Sequence, residues 1–363
     1  MKAASARAVE LANAASAKKG KAPAAKKDAL PRASPVVFSR DGQYEQTIDN
    51  LKVTQGDPVL VVGLGKAAQS NSTVAYEYGT NIVGASAPKK GGQEFLGKPV
   101  FGGVQEAVNN LRPRIASVFA PPSVAADSII ECIEAEIPLV VSYAEGVPQF
   151  DQLRVQAALR SQNKTRVIGA NCPGAIFPHQ RIKLGIQPLR VHSPGIVGLI
   201  SRSGTISYDL AQQTTTLGLG QSAVFGLGGD PFPGTRSWEA LKVLLEDPLT
   251  KIVCVVGELG GQMEEEAAAY YASYRANNPN PKPVVGFVAG AAAERGKVYG
   301  HAGAVWWETN ETTAAKRQAL ADAGFVMAPT IGDIGDLIKS EVDRLGLAPA
   351  AQPAEEEPRV AFG

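Results

Sequence analysis

Short runs of aliphatic and β-branched residues recur along the chain, with stretches of helical period between them. This alternation predicts parallel sheets joined by crossover helices. The first run is Pro58-Val-Leu-Val-Val-Gly-Leu-Gly65. Others follow at Asn81-Ile-Val-Gly84, Ala116-Ser-Val-Phe-Ala120, Pro138-Leu-Val-Val-Ser142 and Arg166-Val-Ile-Gly169. Val124 to Ala135 and Phe150 to Ser161 are amphipathic helix candidates between them. A second series begins at Gly195-Ile-Val-Gly-Leu-Ile-Ser201. It continues at Ser222-Ala-Val-Phe-Gly226, Lys251-Ile-Val-Cys-Val-Val256, Pro283-Val-Val-Gly-Phe-Val288 and Gly324-Phe-Val-Met-Ala328. Ser237 to Glu246 and Glu264 to Arg275 are helix candidates there. The pattern therefore predicts two α/β domains, residues 46–170 and 171–345, both with parallel sheets. In such sheets ligands sit at the carboxyl ends of the strands.

Composition narrows the class. At 363 residues with 44% apolar content, the chain can bury two cores of ordinary size. A net charge of +1 argues against a nucleic-acid protein. No apolar run is long enough to span a membrane. Cys132, Cys172 and Cys254 are scattered, without metal-ligand spacing, and fit free thiols better than disulfides. Residues 1–45 read as a basic, Ala-rich extension, with Glu10 and Asp28 the only acids before Arg40. That composition suggests a transit segment to the mitochondrial matrix or a related organelle. A basic arm on a cytoplasmic protein is the alternative. Residues 346–363, with the run Glu355 to Glu357, read as a disordered tail.

Four loops after predicted strands could hold phosphate. Gly63-Leu-Gly-Lys-Ala-Ala68 is a G-x-G-x-x-A turn opening a helix. A nicotinamide site would want an acid at the end of the next strand. That loop instead reads Ala85-Ser-Ala-Pro-Lys-Lys-Gly-Gly92. Lys89 and Lys90 suit a phosphorylated ribose, as in NADP or coenzyme A, or are simply solvated charge. Ser201-Arg-Ser-Gly-Thr205 opens a helix with free backbone N–H groups. Gly226-Leu-Gly-Gly-Asp-Pro-Phe-Pro-Gly234 is glycine-dense enough to pass close to a ligand.

The fourth loop, Gly300-His-Ala-Gly-Ala304, carries one of three histidines. An imidazole set between small residues can accept a phosphoryl group if another side chain orients its opposite nitrogen. Glu258, in Gly257-Glu-Leu-Gly-Gly261, is placed to do so for His301. His179 and His192 lack such surroundings and read as loop or surface residues.

These segments, with Pro88-Lys-Lys-Gly-Gly92, Ala144-Glu-Gly-Val-Pro148 and Asn171-Cys-Pro-Gly174, resemble the alpha subunit of succinyl-CoA synthetase in order and spacing, from about residue 50 to 343. The resemblance implies a Rossmann-like CoA-binding domain followed by a flavodoxin-like ligase domain. It implies that His301 is phosphorylated and held by Glu258. Ser201, Ser203, Gly204, Thr205 and Gly229 would bind the phosphate. Gly63, Gly65, Lys66, Pro88, Lys90, Tyr143, Glu145, Asn171 and Cys172 would contact CoA, with Asn171 and Cys172 near its thiol end. ATP or GTP with Mg2+ would sit on a partner beta subunit, in a heterodimer or heterotetramer. The chain itself has no G-x-x-x-x-G-K-[ST] motif.

Two stretches depart from the family. Gly63-Leu-Gly-Lys-Ala-Ala-Gln-Ser70 lacks a threonine and two glycines of its first CoA loop, and a side chain at Ala67 or Ala68 would crowd an approaching ligand. Val305 to Lys316 lacks a glycine-rich loop, and its Glu-Thr-x-Ala-x-Lys pattern is similar to ATP-citrate lyase. Trp306 and Trp307 read as packing at a domain or subunit face. Three readings stay open: a succinate–CoA ligase alpha subunit, a ligase for citrate or another carboxylate, and a non-catalytic relative kept as a structural subunit.

Overall fold

The computed structural model describes residues 42–347. Nearly all of the basic extension, and the tail from Ala348, lie outside the described residues. Of the extension, Gly42–Glu45 forms a helical turn and Tyr44 is fully buried.

Two seven-stranded sheets carry the chain. The first holds β1 (Val59–Val62), β2 (Ile82–Ser86), β3 (Glu94–Phe95), β4 (Lys98–Phe101), β5 (Ile115–Val118), β6 (Leu139–Ser142) and β7 (Arg166–Ile168). Their order is β3-β4-β2-β1-β5-β6-β7. Leaving out the short edge strand β3, this is the order of a dinucleotide-binding fold, with its switch point between β1 and β5. Helices α1 (Lys66–Tyr78), α2 (Val104–Leu111), α3 (Pro122–Glu134) and α4 (Gln149–Arg160) link the strands. Every residue of β1, β5 and β6 is buried, because helices cover both faces of a parallel sheet.

The second sheet holds β8 (Gly174–Phe177), β9 (Ile182–Gly185), β10 (Pro194–Ser201), β11 (Gln221–Gly226), β12 (Ile252–Glu258), β13 (Val284–Ala289) and β14 (Val326–Met327). The order is β14-β13-β12-β10-β11-β8-β9. Its five parallel strands follow the flavodoxin-like order, with the switch point between β10 and β12. Helices α5 (Gly204–Thr216), α6 (Ser237–Glu246), α7 (Met263–Asn277), α8 (Thr313–Asp322) and α9 (Ile334–Arg344) complete it.

The expectation of wholly parallel sheets is corrected at two edges. β3 and β4 form an antiparallel hairpin whose turn residues, Leu96 and Gly97, both have positive φ, at 55° and 67°. β8 and β9 form a second hairpin, whose β8 pairs antiparallel with β11. Both hairpins are too short to stand out as apolar runs.

One apolar cluster joins the two sheets. Ile115, Leu139 and Ile168 share it with Phe177, Leu184 and Phe225. Arg166, fully buried on β7, reaches 2.7 Å to Glu239 on α6. It also donates to Thr47 Oγ1 and the Tyr44 carbonyl and lies over the Tyr44 ring.

Candidate active site

Strands β10 and β12 run side by side with Ser201 opposite Val256, so Glu258 stands two residues further on, at the rim. His301 reaches the same rim from the loop after β13. That loop is closed by Tyr299 N donating to Ala304 O at 3.0 Å, and Gly300 takes a φ of +75°. Nδ1 of His301 lies 2.5 Å from Oε2 of Glu258. The Glu258 carboxylate is 8% exposed and the imidazole 24%, so solvent screens the pair weakly. The bond to Glu258 raises the His301 pKa above its ordinary 6.5 against the opposing effect of burial. A proton on Nδ1, donated to Glu258, leaves Nε2 as the nucleophilic nitrogen.

The ring is seated on Gly229, where a Cβ would stand 2.1 Å from His301 Cγ. Gly229 is fixed on both sides: its N–H donates to Asn171 O at 3.3 Å and its carbonyl accepts from Gly303 N at 3.0 Å. The next residue, Asp230, is buried and accepts from Asn171 Nδ2 at 3.0 Å and Gln152 Nε2 at 2.9 Å. Burial pushes its pKa up, opposed by the Asn171 bond and the charge of His301; Glu145 nearby adds to the rise. Asp230, Gln152 and Arg202 are site residues that sequence reasoning did not single out. Arg202 and Asp230 lie inside loops singled out for their neighbours, and Gln152 left no signal.

Four of the five predicted phosphate residues gather where β10 turns into α5, and Gly229 lies in the loop after β11. Ser203 caps the helix, its Oγ accepting from Ile206 N. Ser201 is buried, and its hydroxyl is used within the turn, donating to Ser203 O and accepting from Ser203 N. Ser203 and Gly204 are half-buried and Thr205 is exposed, so the helix N-terminus opens outward. Its aligned dipoles favour an anion there.

The predicted CoA residues fall into two groups along one edge of the first sheet. Gly63, Gly65, Lys66, Pro88 and Lys90 lie after β1 and β2. Gly63 has a φ of +87°, and a Cβ on it would meet the Phe119 carbonyl at 2.9 Å. Lys90 Nζ donates to Leu64 O at 2.8 Å and holds its charge over the first loop. Gly65 N-caps α1 with open space beside it, and Lys66 and Pro88 are exposed. The expected crowding by Ala68 is corrected: its side chain is 1% exposed and packs into the core with Val61 and Ile82, while Ala67 is exposed.

The second group leads towards His301. Phe119 and Tyr143 pack with ring centroids 4.5 Å apart, and Tyr143 shares a short hydrogen bond with Ser117. Cys172 turns its thiol inward to Ser142 O at 3.1 Å, and burial pushes its pKa up to about 12. That sulfur is a packing group, not a nucleophile. Asn171 then joins this edge to Gly229 and Asp230. Glu145 is exposed beside it. A track of loops therefore runs from the first glycine turn to the histidine.

His179 and His192 do lie in loops, but neither is a free surface group. His179 Nε2 is 2.8 Å from Gly195 O. His192 Nδ1 is 2.8 Å from Pro188 O, and burial drives its pKa down to about 4. Trp306 is half-buried, with its indole N–H on Ala293 O, whereas Trp307 is 58% exposed. Among the described residues, no helix is long and apolar enough to cross a membrane.

Residues 54–146 match a CoA binding domain family and residues 200–326 a CoA-ligase family. The mitochondrial subunit alpha-2 of an ADP-forming succinate–CoA ligase from Trichomonas vaginalis is 41% identical over 288 residues, 79% of this chain and 92% of the relative. The corresponding alpha subunit from Staphylococcus epidermidis is 39% identical over 296 residues, 81% of this chain and 96% of the relative. The alpha subunit of a malate–CoA ligase from Methylorubrum extorquens is 38% identical over 299 residues, 81% of this chain and 99% of the relative. Among solved structures, ATP citrate lyase from Methanosaeta concilii, in complex with (3S)-citryl-CoA, superposes with a TM-score of 0.77 at 21% identity. That match covers 86% of this chain and 54% of the other, and it speaks for the fold alone.

Proposed function

The chain belongs to the succinate–CoA ligase alpha-subunit family, and from that premise we propose that it is the phosphoryl-carrying subunit of an NDP-forming succinate–CoA ligase. The observation that carries the proposal is the Nδ1 contact of His301 with buried Glu258, beside the N-terminus of α5.

His301 Nε2 attacks the terminal phosphoryl group of ATP or GTP, and the nucleoside diphosphate leaves. Mg2+ and the nucleotide come from a beta-type partner in this reading, which fits a sequence without a G-x-x-x-x-G-K-[ST] motif. Glu258 keeps Nδ1 protonated and balances the positive charge that develops on the ring. The open turn at Gly204 and Thr205, behind the Ser203 cap, receives the phosphoryl oxygens through backbone N–H groups. His301 then gives the phosphoryl group to a carboxylate oxygen of succinate, forming an acyl phosphate. The thiol of coenzyme A, led along the track from Lys90 to Asn171, displaces phosphate to give the thioester. Such chemistry needs placement and charge stabilisation more than covalent machinery.

A second carboxylate is the competing substrate. The malate–CoA ligase relative is nearly as similar as the succinate ones, so identity does not choose the acid. The mitochondrial matrix or a related organelle is the proposed compartment, supported by the basic residues before Arg40 and the mitochondrial relative.

The test is a thioester assay on the chain co-expressed with the beta-type subunit of its own organism, given succinate, malate and citrate in turn. Succinyl-CoA as the fastest product, lost in His301→Ala, is expected. Thioester only from another acid overturns the substrate. No thioester from any acid overturns the assignment.

A further inference from the structure

Behind the histidine lies a row of charges, buried except at the Glu265 end, that phosphoryl transfer does not itself require. Arg202, 4% exposed, places Nη2 3.0 Å from Glu258 Oε1 and Nη1 3.4 Å from Glu264 Oε1. Glu264 is fully buried, and its other oxygen lies 2.9 Å from Lys316 Nζ, also fully buried. Lys316 further meets Glu265 at 2.8 Å and Gly261 O at 2.8 Å. Glu264 also accepts the backbone N–H of Glu258 at 3.1 Å.

Signs alternate along this row: Glu258, Arg202, Glu264, Lys316, Glu265. It carries one net negative charge, which is what an imidazolium at His301 would balance. Without Arg202, the Glu258 and Glu264 carboxylates would be buried neighbours, and like charges so placed share a proton. A planar guanidinium can face two carboxylates at once, which an ammonium group does less well. Gly303 completes the packing, since a Cβ there would stand 3.1 Å from Arg202 Nη2.

We propose that Arg202 is a positioning residue of the phosphoryl site, holding Glu258 and Glu264 ionised and apart so that Glu258 faces His301 with a full negative charge, while Lys316 anchors the far end. This rests on His301 as the phosphoryl carrier. The charged groups facing His301 are Glu258, Arg202 and Asp230, with Glu145 beyond Asp230. Glu264, Glu265 and Lys316 act through Arg202.

The test reads the imidazole titration of His301 by nitrogen NMR in the full chain, where only three histidines need assigning. In Arg202→Met the two carboxylates share a proton, Glu258 faces the ring with less than a full charge, and the His301 midpoint falls. Phosphorylation from labelled ATP or GTP, with the beta-type partner present, then slows at pH values above both midpoints, where the ring is neutral in either protein. In the double variant Arg202→Met/Glu264→Gln, Glu258 has no neighbouring carboxylate with which to share a proton, and the midpoint returns to the wild-type value or above it. Glu264→Gln alone lowers the midpoint, and it serves if Arg202→Met does not fold. Arg202→Lys falls between wild type and Arg202→Met. An unmoved or raised midpoint in Arg202→Met, a double variant as displaced as the single, or an unmoved midpoint in Glu264→Gln overturns the inference. A wild-type chain that takes no label overturns the phosphohistidine reading and this inference with it. A labelled wild type with unmoved variants overturns the inference alone.

Discussion

The ring of His301 lies against the Cα of Gly229 with no room for a side chain, a Cβ there falling 2.1 Å from the ring's Cγ. The glycine-dense loop after β11 is thus a seat for the histidine before it is a phosphate site. Gly229→Ala should push the ring off Glu258 while the strands beneath stay packed. We expect a stability loss of about 1–3 kcal/mol and loss of most phosphorylation. Labelling and a thermal melt on the same preparation check this. Full labelling would mean that the ring does not sit where the structure puts it.

Glu258→Gln should stay folded and lose the rate. In the wild type, the bond to Glu258 holds His301 protonated above its ordinary 6.5, so the neutral nucleophile appears only as pH rises through that raised value. Phosphorylation should therefore climb with pH above 6.5. In Glu258→Gln the limb should move down and the plateau should fall, by about a hundredfold or more. A pH–rate profile of both proteins decides it, and coincident limbs would contradict the pairing.

Lys90→Met should weaken CoA without touching His301. Loss of one cation beside the first loop should raise KM for CoA about tenfold, the equivalent of about 1.4 kcal/mol. Phosphohistidine formation should not change. Steady-state thioester assays and labelling separate the two effects, and an unchanged KM would remove Lys90 from the CoA site.

Much of this was legible because parallel strands buried on both faces are written as unbroken apolar runs. Val59–Val62, Leu139–Ser142 and Ile252–Glu258 each end at a loop that the fold uses. His301 and Glu258 stood out for the same reason, each following such a run. The hairpins at Glu94–Phe101 and Gly174–Gly185 did not, being short, glycine-bearing and partly at sheet edges. Nor did Arg202, Gln152 or Asp230, whose meaning depends on partners 62, 78 and 59 residues away. Ala68 shows the converse, since its inward direction is set by the register of α1 on the sheet and not by the loop motif.

Glu239→Gln should destabilise the fold and spare the chemistry. Arg166 and Glu239 are 0% and 1% exposed, and removing one charge leaves the other buried unpaired. The loss should be about 3–5 kcal/mol. Denaturant unfolding measures it, and a change within experimental scatter would mean that the other Arg166 partners suffice.

His192 should make the protein acid-sensitive. Its folded pKa is driven down to about 4 from 6.5, so the unfolded chain binds a proton that the folded chain refuses. Stability is therefore lost as pH falls from 6.5 towards 4 and is intact above. His192→Gln cannot titrate, and its stability should fall less over that window. Denaturant midpoints at pH 7 and pH 5 compare the two, and equal losses would contradict the assignment.

The central claim is that His301 carries the phosphoryl group. The direct measurement gives the complex, with its beta-type partner, labelled ATP or GTP and locates the label by peptide mapping under alkaline conditions. An acid-labile, base-stable label on His301 is expected, absent in His301→Ala and discharged by succinate with coenzyme A. Label on another residue, or none on a wild-type complex that still makes thioester, would contradict it.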